Sequence, residues 1–383
     1  MKLFHLSDLH IGLKLFNRDL SEDQAHIFDQ IAEAARREQP DAILIAGDIY
    51  DKSVPSAEAM ALFDRFVGQL TEAAPRAELM CISGNHDSAT RLNVYRDLLS
   101  RQRVHMIGLP PMNPGERIEC VTLSDAFGPV RFYLLPFVKP SMVHAVVGDD
   151  AGVGLSYDEC LRRLIAREAI DPSVRNVLVS HQFYIPAGAD AASVERMDSE
   201  IPTVGNVDAV GADVLDAFDY AALGHIHKPM RVGRDTARYC GTPLQCSMSE
   251  AGQQKGIVVA ELREKGQIDI RVLPLIPLRQ VRTIRGELRE VLDQACDDYV
   301  SALLTDKVDL DILDMRDRLN AAFPHLLEIR REVQRGANYA ADRAREAALD
   351  PFELCSAFLP DLDAEEQALL REVINAIQEV NPA

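Results

Sequence analysis

At 383 residues, with 47% hydrophobic and 26% charged side chains, the chain has the composition of a soluble globular protein and exceeds one ordinary core, so two or three domains are expected. No apolar run approaches the roughly 20 residues that cross a bilayer, and Asp8 arrives before any signal-type apolar stretch can form, which predicts no membrane span and a cytoplasmic protein. The net charge of −19 excludes a passive polyanion-binding surface: either the substrate is no polyanion, or metal ions and a partner supply the missing positive charge.

Residues 1 to about 275 alternate apolar runs with helical stretches, which is the pattern of stacked sheets covered by helices. Leu3 to Leu6 reads as a short strand. Ser21-Glu22-Asp23-Gln24 reads as a capping box for a helix that buries Ile27, Ile31, Ala34 and Ala35, and Gln39-Pro40 ends it. Ala42 to Ala46 is a continuous apolar strand suited to burial on both faces. A helix over Ala57 to Leu70 precedes the strand Leu79 to Ile82. Further strands are expected at Val130–Phe137, Asn176–Val179, Ala221–Leu223, Lys255–Leu262 and Ile268–Leu273, with a helix from Tyr157 to Ala169.

Beyond Pro277 the character changes. Residues 278–335 predict a small α+β module: strand Arg279–Ile284, helix Glu287–Ala295, strand Lys307–Ile312 and helix Met315–Ala322. The last stretch, residues 340–383, is helical. From Asp342 to Ala383 it carries ten acids against three basic residues, with Leu354, Phe358, Leu369 and Ile374 among its apolar positions. It reads either as a solvated terminal helix pair or as a docking element for another protein. The seven cysteines are scattered and form no C-x-x-C pair, which predicts reduced thiols without a metal role.

The chemistry-bearing residues share one position in the pattern. Asp8 and His10 follow the strand Leu3–Leu6, and Gly47-Asp48 follows Ile43–Ala46. Gly84-Asn85-His86-Asp87 follows Leu79–Ile82, His181 follows Val177–Val179, and Gly224-His225-Ile226-His227 follows Ala221–Leu223. Taken singly each is weak, since a lone histidine is more often structural. In sheets covered by helices, ligand sites gather beyond the carboxyl ends of strands, so the five clusters converge on one metal site. Asp, Asn and His without a thiolate suit Mn²⁺, Fe²⁺ or an oxygen/imidazole Zn²⁺ site. Two carboxylates and four imidazoles suffice for two ions sharing one acid, leaving a local charge of about +2 that attracts phosphate and lowers the pKa of a bound water.

These motifs, Asp-x-His, Gly-Asp-x-x-Asp, Gly-Asn-His-Asp, a later His and Gly-His-x-His, resemble the ordered set of the calcineurin-like metallophosphoesterases. Phe4 to Gly12, Gly47 to Asp51, Gly84 to Ser88, Gly224 to Pro229 and Tyr239 to Gln245, followed by Ser249-Glu250 and Lys255-Gly256, resemble the SbcD-type nuclease subunits within them. The resemblance is specific over the first 260 residues and architectural afterwards. It departs from the pattern only at Met230 and Met248.

The resemblance implies a mixed α/β fold, a four-layer αββα sandwich over residues 1–275, with a small α+β capping domain that binds DNA over 278–335. The helices of residues 340–383 would dock an SbcC-like SMC-type ATPase. It implies two divalent ions, Mn²⁺ above others: Asp8, His10 and His227 on one, Asn85, His181 and His225 on the other, and Asp48 bridging. His86 is then the catalytic imidazole that leaves the metals free and assists the departing oxygen, with Asp51 bonded behind it to favour its protonated form. The implied activity is phosphodiester hydrolysis by a water that two metals activate: 3′-to-5′ exonuclease action on double-stranded DNA ends and endonuclease action at hairpins or blocked ends, in DNA repair, recombination and replication. A homodimer formed near the Asn85 motif and a bacterial, nucleoid-associated setting belong to the same resemblance.

Arg91, Arg96, Arg101, Arg103, Arg279, Arg282, Arg285 and Arg289 are local basic residues, read either as DNA contacts or as surface charges paired with acids. Two competing readings share the motifs. One is a phosphomonoesterase or cyclic-nucleotide phosphodiesterase, which needs no capping module or docking tail. The other is a non-catalytic scaffold with a relict site, which the complete set of ligands and His86 opposes.

Overall fold

The computed structural model describes residues 1–148, 154–186, 188–189, 191, 194–200, 208–306, 311–332, 352, 355–356, 359 and 362–380. The described residues form two compact units, one built from Met1–Glu200 with Ala209–Arg282, the other mainly from Thr283 onward.

Two six-stranded sheets make the first unit. The first comprises β1 (Lys2–Leu6), β2 (Ala42–Ala46), β3 (Glu78–Ile82), β4 (Val104–Ile107), β11 (Gly256–Leu262) and β12 (Ile268–Pro274), in the order β12-β11-β1-β2-β3-β4. The second comprises β5 (Glu119–Asp125), β6 (Gly128–Leu135), β7 (Arg175–His181), β8 (Tyr220–Gly224), β9 (Met230–Val232) and β10 (Arg234–Tyr239), in the order β9-β10-β8-β7-β6-β5. Strands β1 to β4 run parallel, as do β6, β7, β8 and β10, while β5, β9, β11 and β12 join by antiparallel pairing.

The alternation of side chains builds four layers. Leu3, Leu44, Met80 and Ile82 of the first sheet pack against Phe132, Leu134, Val177, Val179 and Ala222 of the second. The intervening residues Phe4, Leu6, Ile43, Ile45 and Cys81 are equally buried but point to the opposite face. On that side lie α1 (Ser21–Glu38) and α2 (Ala57–Ala73), which pack on each other with Phe28 stacked on Phe66 at 4.3 Å. Tyr133, Leu135, Leu178, Ala221 and Leu223 cover the far face of the second sheet and pack on Cys160, Leu161, Leu164 and Ile165 of α3 (Tyr157–Ala166). The expected αββα sandwich is the fold found. Burial of every residue of β2 and β7 is why these runs carry no alternation.

One buried histidine is purely structural. His5 spans the sheets, with Nδ1 at 3.0 Å from the Tyr220 hydroxyl and Nε2 at 3.1 Å from the Leu223 carbonyl, and burial pushes its pKa down to about 3.

Local differences have physical causes. The capping box expected at Ser21 is absent: Leu20 occupies the N-cap without a side-chain bond, and Asp19 instead accepts from Ser21 N–H at 2.8 Å. Gln24 is drawn away to the chain around His10, donating to the carbonyls of Leu9 (3.2 Å) and His10 (2.7 Å). In the second unit a three-stranded sheet runs Val281–Gly286, Tyr299–Leu304, Leu326–Arg331 in that order. Its core is Val291, Val300, Ala302, Leu319 and Phe323, under helices Leu288–Leu292 and Ile312–Ala322. The second described strand is Tyr299–Leu304, ahead of the strand expected at Lys307–Ile312. Residues 307–310 lie outside the described residues, and Ile312 opens a helix capped by the Asp311 side chain. Part of the expected tail, residues 340–351 and several positions beyond, also lies outside them; a helix is described at Ala364–Val380. Among the described residues, no helix is long and apolar enough to cross a membrane.

Candidate active site

Parallel pairing sets the strand ends level. Ala46 stands opposite Ile82 and His181 opposite Gly224, so the chain leaves each strand at the same edge of its sheet. The two edges are joined where His181 Nδ1 donates to the Ala46 carbonyl at 2.7 Å. The chain then turns at once, with Asp8, His10, Asp48 and His225 at φ of 53°, 43°, 49° and 108°. Four non-glycine residues in the left-handed region at one place are a strain that the surrounding bonds must hold. Asp8 N–H donates to Gly47 O at 2.9 Å and His10 N–H to Asp48 O at 3.0 Å, locking the first two turns together. Glycine is required at Gly84 and Gly224 by close approach: a Cβ at Gly84 would collide with the Asp48 carboxylate, and one at Gly224 with the Ala46 carbonyl.

All eight strand-end residues named from sequence meet here, and the donor atoms of all but His86 fall into two groups about Asp48. His10 Nε2 and His227 Nε2 face each other at 3.0 Å, with Asp8 Oδ1 at 4.0 Å from His227 Nε2 and Asp48 Oδ2 at 3.7 Å from His10 Nε2. On the other side, Asn85 Oδ1 lies 3.1 Å from His181 Nε2 and 3.0 Å from His225 Nδ1, and Asp48 Oδ2 lies 3.3 Å from His181 Nε2. Donors bound at about 2.1 Å to one ion and about 90° apart are themselves about 3 Å apart, so both groups have the spacing of a coordination shell. Asp8, His10 and His227 gather their ligand atoms within 4.8 Å, as do Asp8, Asp48 and His181.

Against the opposing effect of burial, the Asp48 charge and hydrogen bond push His181 up to about 9, and the Glu250 carboxylate and Asp8 charge push His227 upward, so the carboxylates draw positive charge to this site. Burial pushes the Asp8 carboxyl up, opposed by His181 and His227. Burial also opposes ionisation of Asp48, but the charges of His181 and His86 and the His181 bond hold it well below the usual carboxylate range. Burial and neighbouring imidazoles keep His10 and His225 far below ordinary histidine, so both present lone pairs. The residues therefore fit a divalent ion on each side of Asp48.

His86 stands apart. It is half-buried, its main-chain N–H donates to Asp48 Oδ1 at 2.9 Å, and its ring sits edge-on to His10 with centroids 4.8 Å apart. Its Nδ1 lies 2.9 Å from the Asp51 main-chain carbonyl. The contact expected from the Asp51 carboxylate is thus made by that residue's backbone, because the carboxylate turns to His10 Nδ1 at 3.8 Å. Asp87 has a role that the motif by itself does not state. Its buried carboxylate accepts from the N–H groups of Ile49 (3.1 Å), Tyr50 (2.9 Å) and Gly84 (2.9 Å), clamping the Asp48 turn to the Asn85 turn. The signal was its place in Gly-Asn-His-Asp. Of the basic residues, Arg96 pairs with Glu119 at 2.8 Å, Arg279 with Glu22 at 2.9 Å and Asp23 at 3.0 Å, and Arg285 with Glu332 at 2.6 Å. For these the paired-charge reading holds.

The sequence profile described as calcineurin-like phosphoesterase matches residues 1–229. A second, the SbcD-type profile described as the type 5 capsule protein repressor C-terminal domain, matches residues 277–361. Among solved structures the chain is similar to a dimetal phosphatase from Danio rerio, at 13% identity over 72% of this chain and 96% of that one, with a TM-score of 0.40. It is also similar to GAP50 of Plasmodium, at 11% identity over 89% and 98% with a TM-score of 0.43. A third is the calcineurin-like phosphoesterase YfkN from Bacillus subtilis, at 12% identity over 84% and 98% with a TM-score of 0.36.

Proposed function

Because the chain belongs to the calcineurin-like phosphoesterase family and is a metal-dependent phosphoester hydrolase, we propose that it is the nuclease subunit of an SbcCD-type DNA repair complex. Its reaction is Mn²⁺-dependent hydrolysis of phosphodiesters: 3′-to-5′ trimming of double-stranded ends and cutting at hairpins or blocked ends. The observation that carries this reading is the pair of donor groups about Asp48, with the half-exposed His86 beside them.

Asp8, His10 and His227 would hold one ion, Asn85, His181 and His225 the other, and Asp48 both. When bound, the ions supply Lewis acidity toward a phosphate oxygen and a water of lowered pKa. The chain's own part is positional. His86 keeps its Nδ1 proton on the Asp51 carbonyl, which orients the ring; when the ring is doubly protonated, Nε2 carries the second proton and passes it to the departing 3′ oxygen. The Asp87 clamp holds the Asp48 and Asn85 turns at the spacing that this geometry needs.

The match of residues 277–361 to the SbcD-type profile supports a capping module over 278–335 and a docking tail over 340–383. The partner is an SbcC-like SMC-type ATPase. Helix Ala364–Val380 exposes Leu369 and Val373, as a helix that docks in a groove requires. Exposed Val94, Tyr95 and Leu98, just after the Asn85 motif, support a homodimer. The ATPase and the ions resolve the charge problem of an acidic chain acting on DNA.

The test compares linear duplex and hairpin DNA with p-nitrophenyl phosphate mono- and diesters, in Mn²⁺, with and without the ATPase. DNA cleavage is expected, reduced about 10²–10⁴-fold in His86→Ala while two ions remain bound. Activity confined to the small esters would sink the nuclease reading, and failure of an SMC-type ATPase to co-purify would sink the partner.

A further inference from the structure

Behind His227 lies a polar network that the reaction just described does not use. Glu250 and Lys255 are buried, and Lys255 Nζ donates to Glu250 Oε2 at 2.6 Å. Desolvating two charges costs more than packing apolar groups in their place, so a buried pair points to a role in specificity of geometry. Glu250 collects three more donors: Thr242 Oγ1 at 2.9 Å, Ser247 Oγ at 3.0 Å and Ser199 Oγ at 2.8 Å.

Ser199 is the informative member. A carboxylate only accepts, so the single hydroxyl proton of Ser199 goes to Glu250. Ser199 Oγ also lies 2.6 Å from His227 Nδ1, and with its proton spent it can only accept there. The Nδ1 of His227 therefore carries the ring proton, and Nε2 carries the lone pair that faces His10 and Asp8. The main chain of His227 is held from the same side. Its N–H donates to Glu200 Oε1 at 2.9 Å, and its carbonyl accepts from Lys255 Nζ at 3.0 Å.

We propose that Ser199 and Glu250 are positioning residues for the metal centre: they fix the tautomer of His227 and, through the Ser199 hydroxyl, lend it the negative charge of Glu250, which strengthens Nε2 as a donor. Lys255 keeps that buried charge ionised and clasps the turn that carries His227. The inference rests on the reading that His227 holds a divalent ion.

The test is calorimetric titration of the full-length, metal-stripped protein with Mn²⁺, together with its melting temperature in the stripped state. Wild type is expected to take two ions. Ser199→Ala is expected to weaken one of them about 10–100-fold and leave the other unchanged, whereas Ser199→Thr, which keeps the hydroxyl, stays within about threefold of wild type. Glu250→Gln, which keeps an acceptor oxygen but not the charge, weakens the same ion; this second variant decides the matter if Ser199→Ala does not fold. A lower melting temperature in Ser199→Ala with both affinities intact would overturn the proposal, as would a Ser199→Thr protein as weak as Ser199→Ala. A wild type that takes no ion would overturn the metal reading itself, and this inference with it.

Discussion

Replacing Asp87 by Asn tests whether the active-site turns are held by a single carboxylate. Asp87 Oδ2 accepts from Ile49 and Gly84 N–H and Oδ1 from Tyr50 N–H, at 2.9–3.1 Å. An amide of the same shape keeps one acceptor oxygen and sets an NH₂ against whichever donors the other oxygen served. At least one charge-assisted bond is lost, a buried main-chain N–H is left facing another donor, and the remaining bonds weaken to neutral ones. A lost charge-assisted bond of about 1.5–3 kcal/mol and an unsatisfied buried donor of about 1–3 kcal/mol are partly offset, because burial and the Asp48 charge push the Asp87 carboxyl up to about 6 and the amide escapes that cost, which leaves about 2–4 kcal/mol. For a unit of this size that lowers Tm by roughly 5–15 °C. The assay is urea and thermal unfolding of the metal-stripped protein, where no ion masks the loss. An Asp87→Asn protein within about 0.5 kcal/mol of wild type would refute the clamp.

Three further outcomes follow from the same geometry. Gly84→Ala drives a methyl into the Asp48 carboxylate and main-chain nitrogen and should abolish Mn²⁺ binding at both positions, read by titration, and lower the Tm of the stripped protein. Asp125→Asn removes the partner of Arg175, whose side chain is 3% exposed and bonds that carboxylate at 2.5 and 3.1 Å, and should cost about 2–4 kcal/mol at pH 7 in urea unfolding. Burial opposes ionisation of Asp125, but Arg175 holds its folded pKa well below the usual range. Its stabilisation is therefore present above the unfolded value of about 4 and lost as pH falls through the folded value, so the gap between wild type and variant should close in acid. Adding Mn²⁺ at about 100 times its dissociation constant should stabilise wild type by about 2.7 kcal/mol per ion, read as a Tm rise that a chelator reverses.

The strand-end motifs were legible in the sequence because they are local. An apolar run followed at once by Asp8, Asp48, Asn85, His181 or His225 states both the strand and what waits at its end, and the absence of a thiolate states the donor chemistry. The sandwich was legible for the same reason: buried runs such as Ala42–Ala46 need cover on both faces. The second strand of the C-terminal unit was not. Tyr299–Leu304 is buried by tertiary packing on Leu319 and Phe323, which no local pattern announces.

Tertiary structure alone decided three things. It brought the two sheets' edges together, since the His181 bond to Ala46 spans 135 residues. It drew Gln24 from the helix cap that its spacing predicted to the carbonyls of Leu9 and His10, where buried main-chain groups needed a partner more than a solvated helix end did. It set Ser199 and Glu250 behind His227, 28 and 23 residues away along the chain, making a tautomer and a donor strength out of residues whose types alone say neither. The sequence determines which groups are available and at which strand ends they lie; the fold decides which of their atoms face each other.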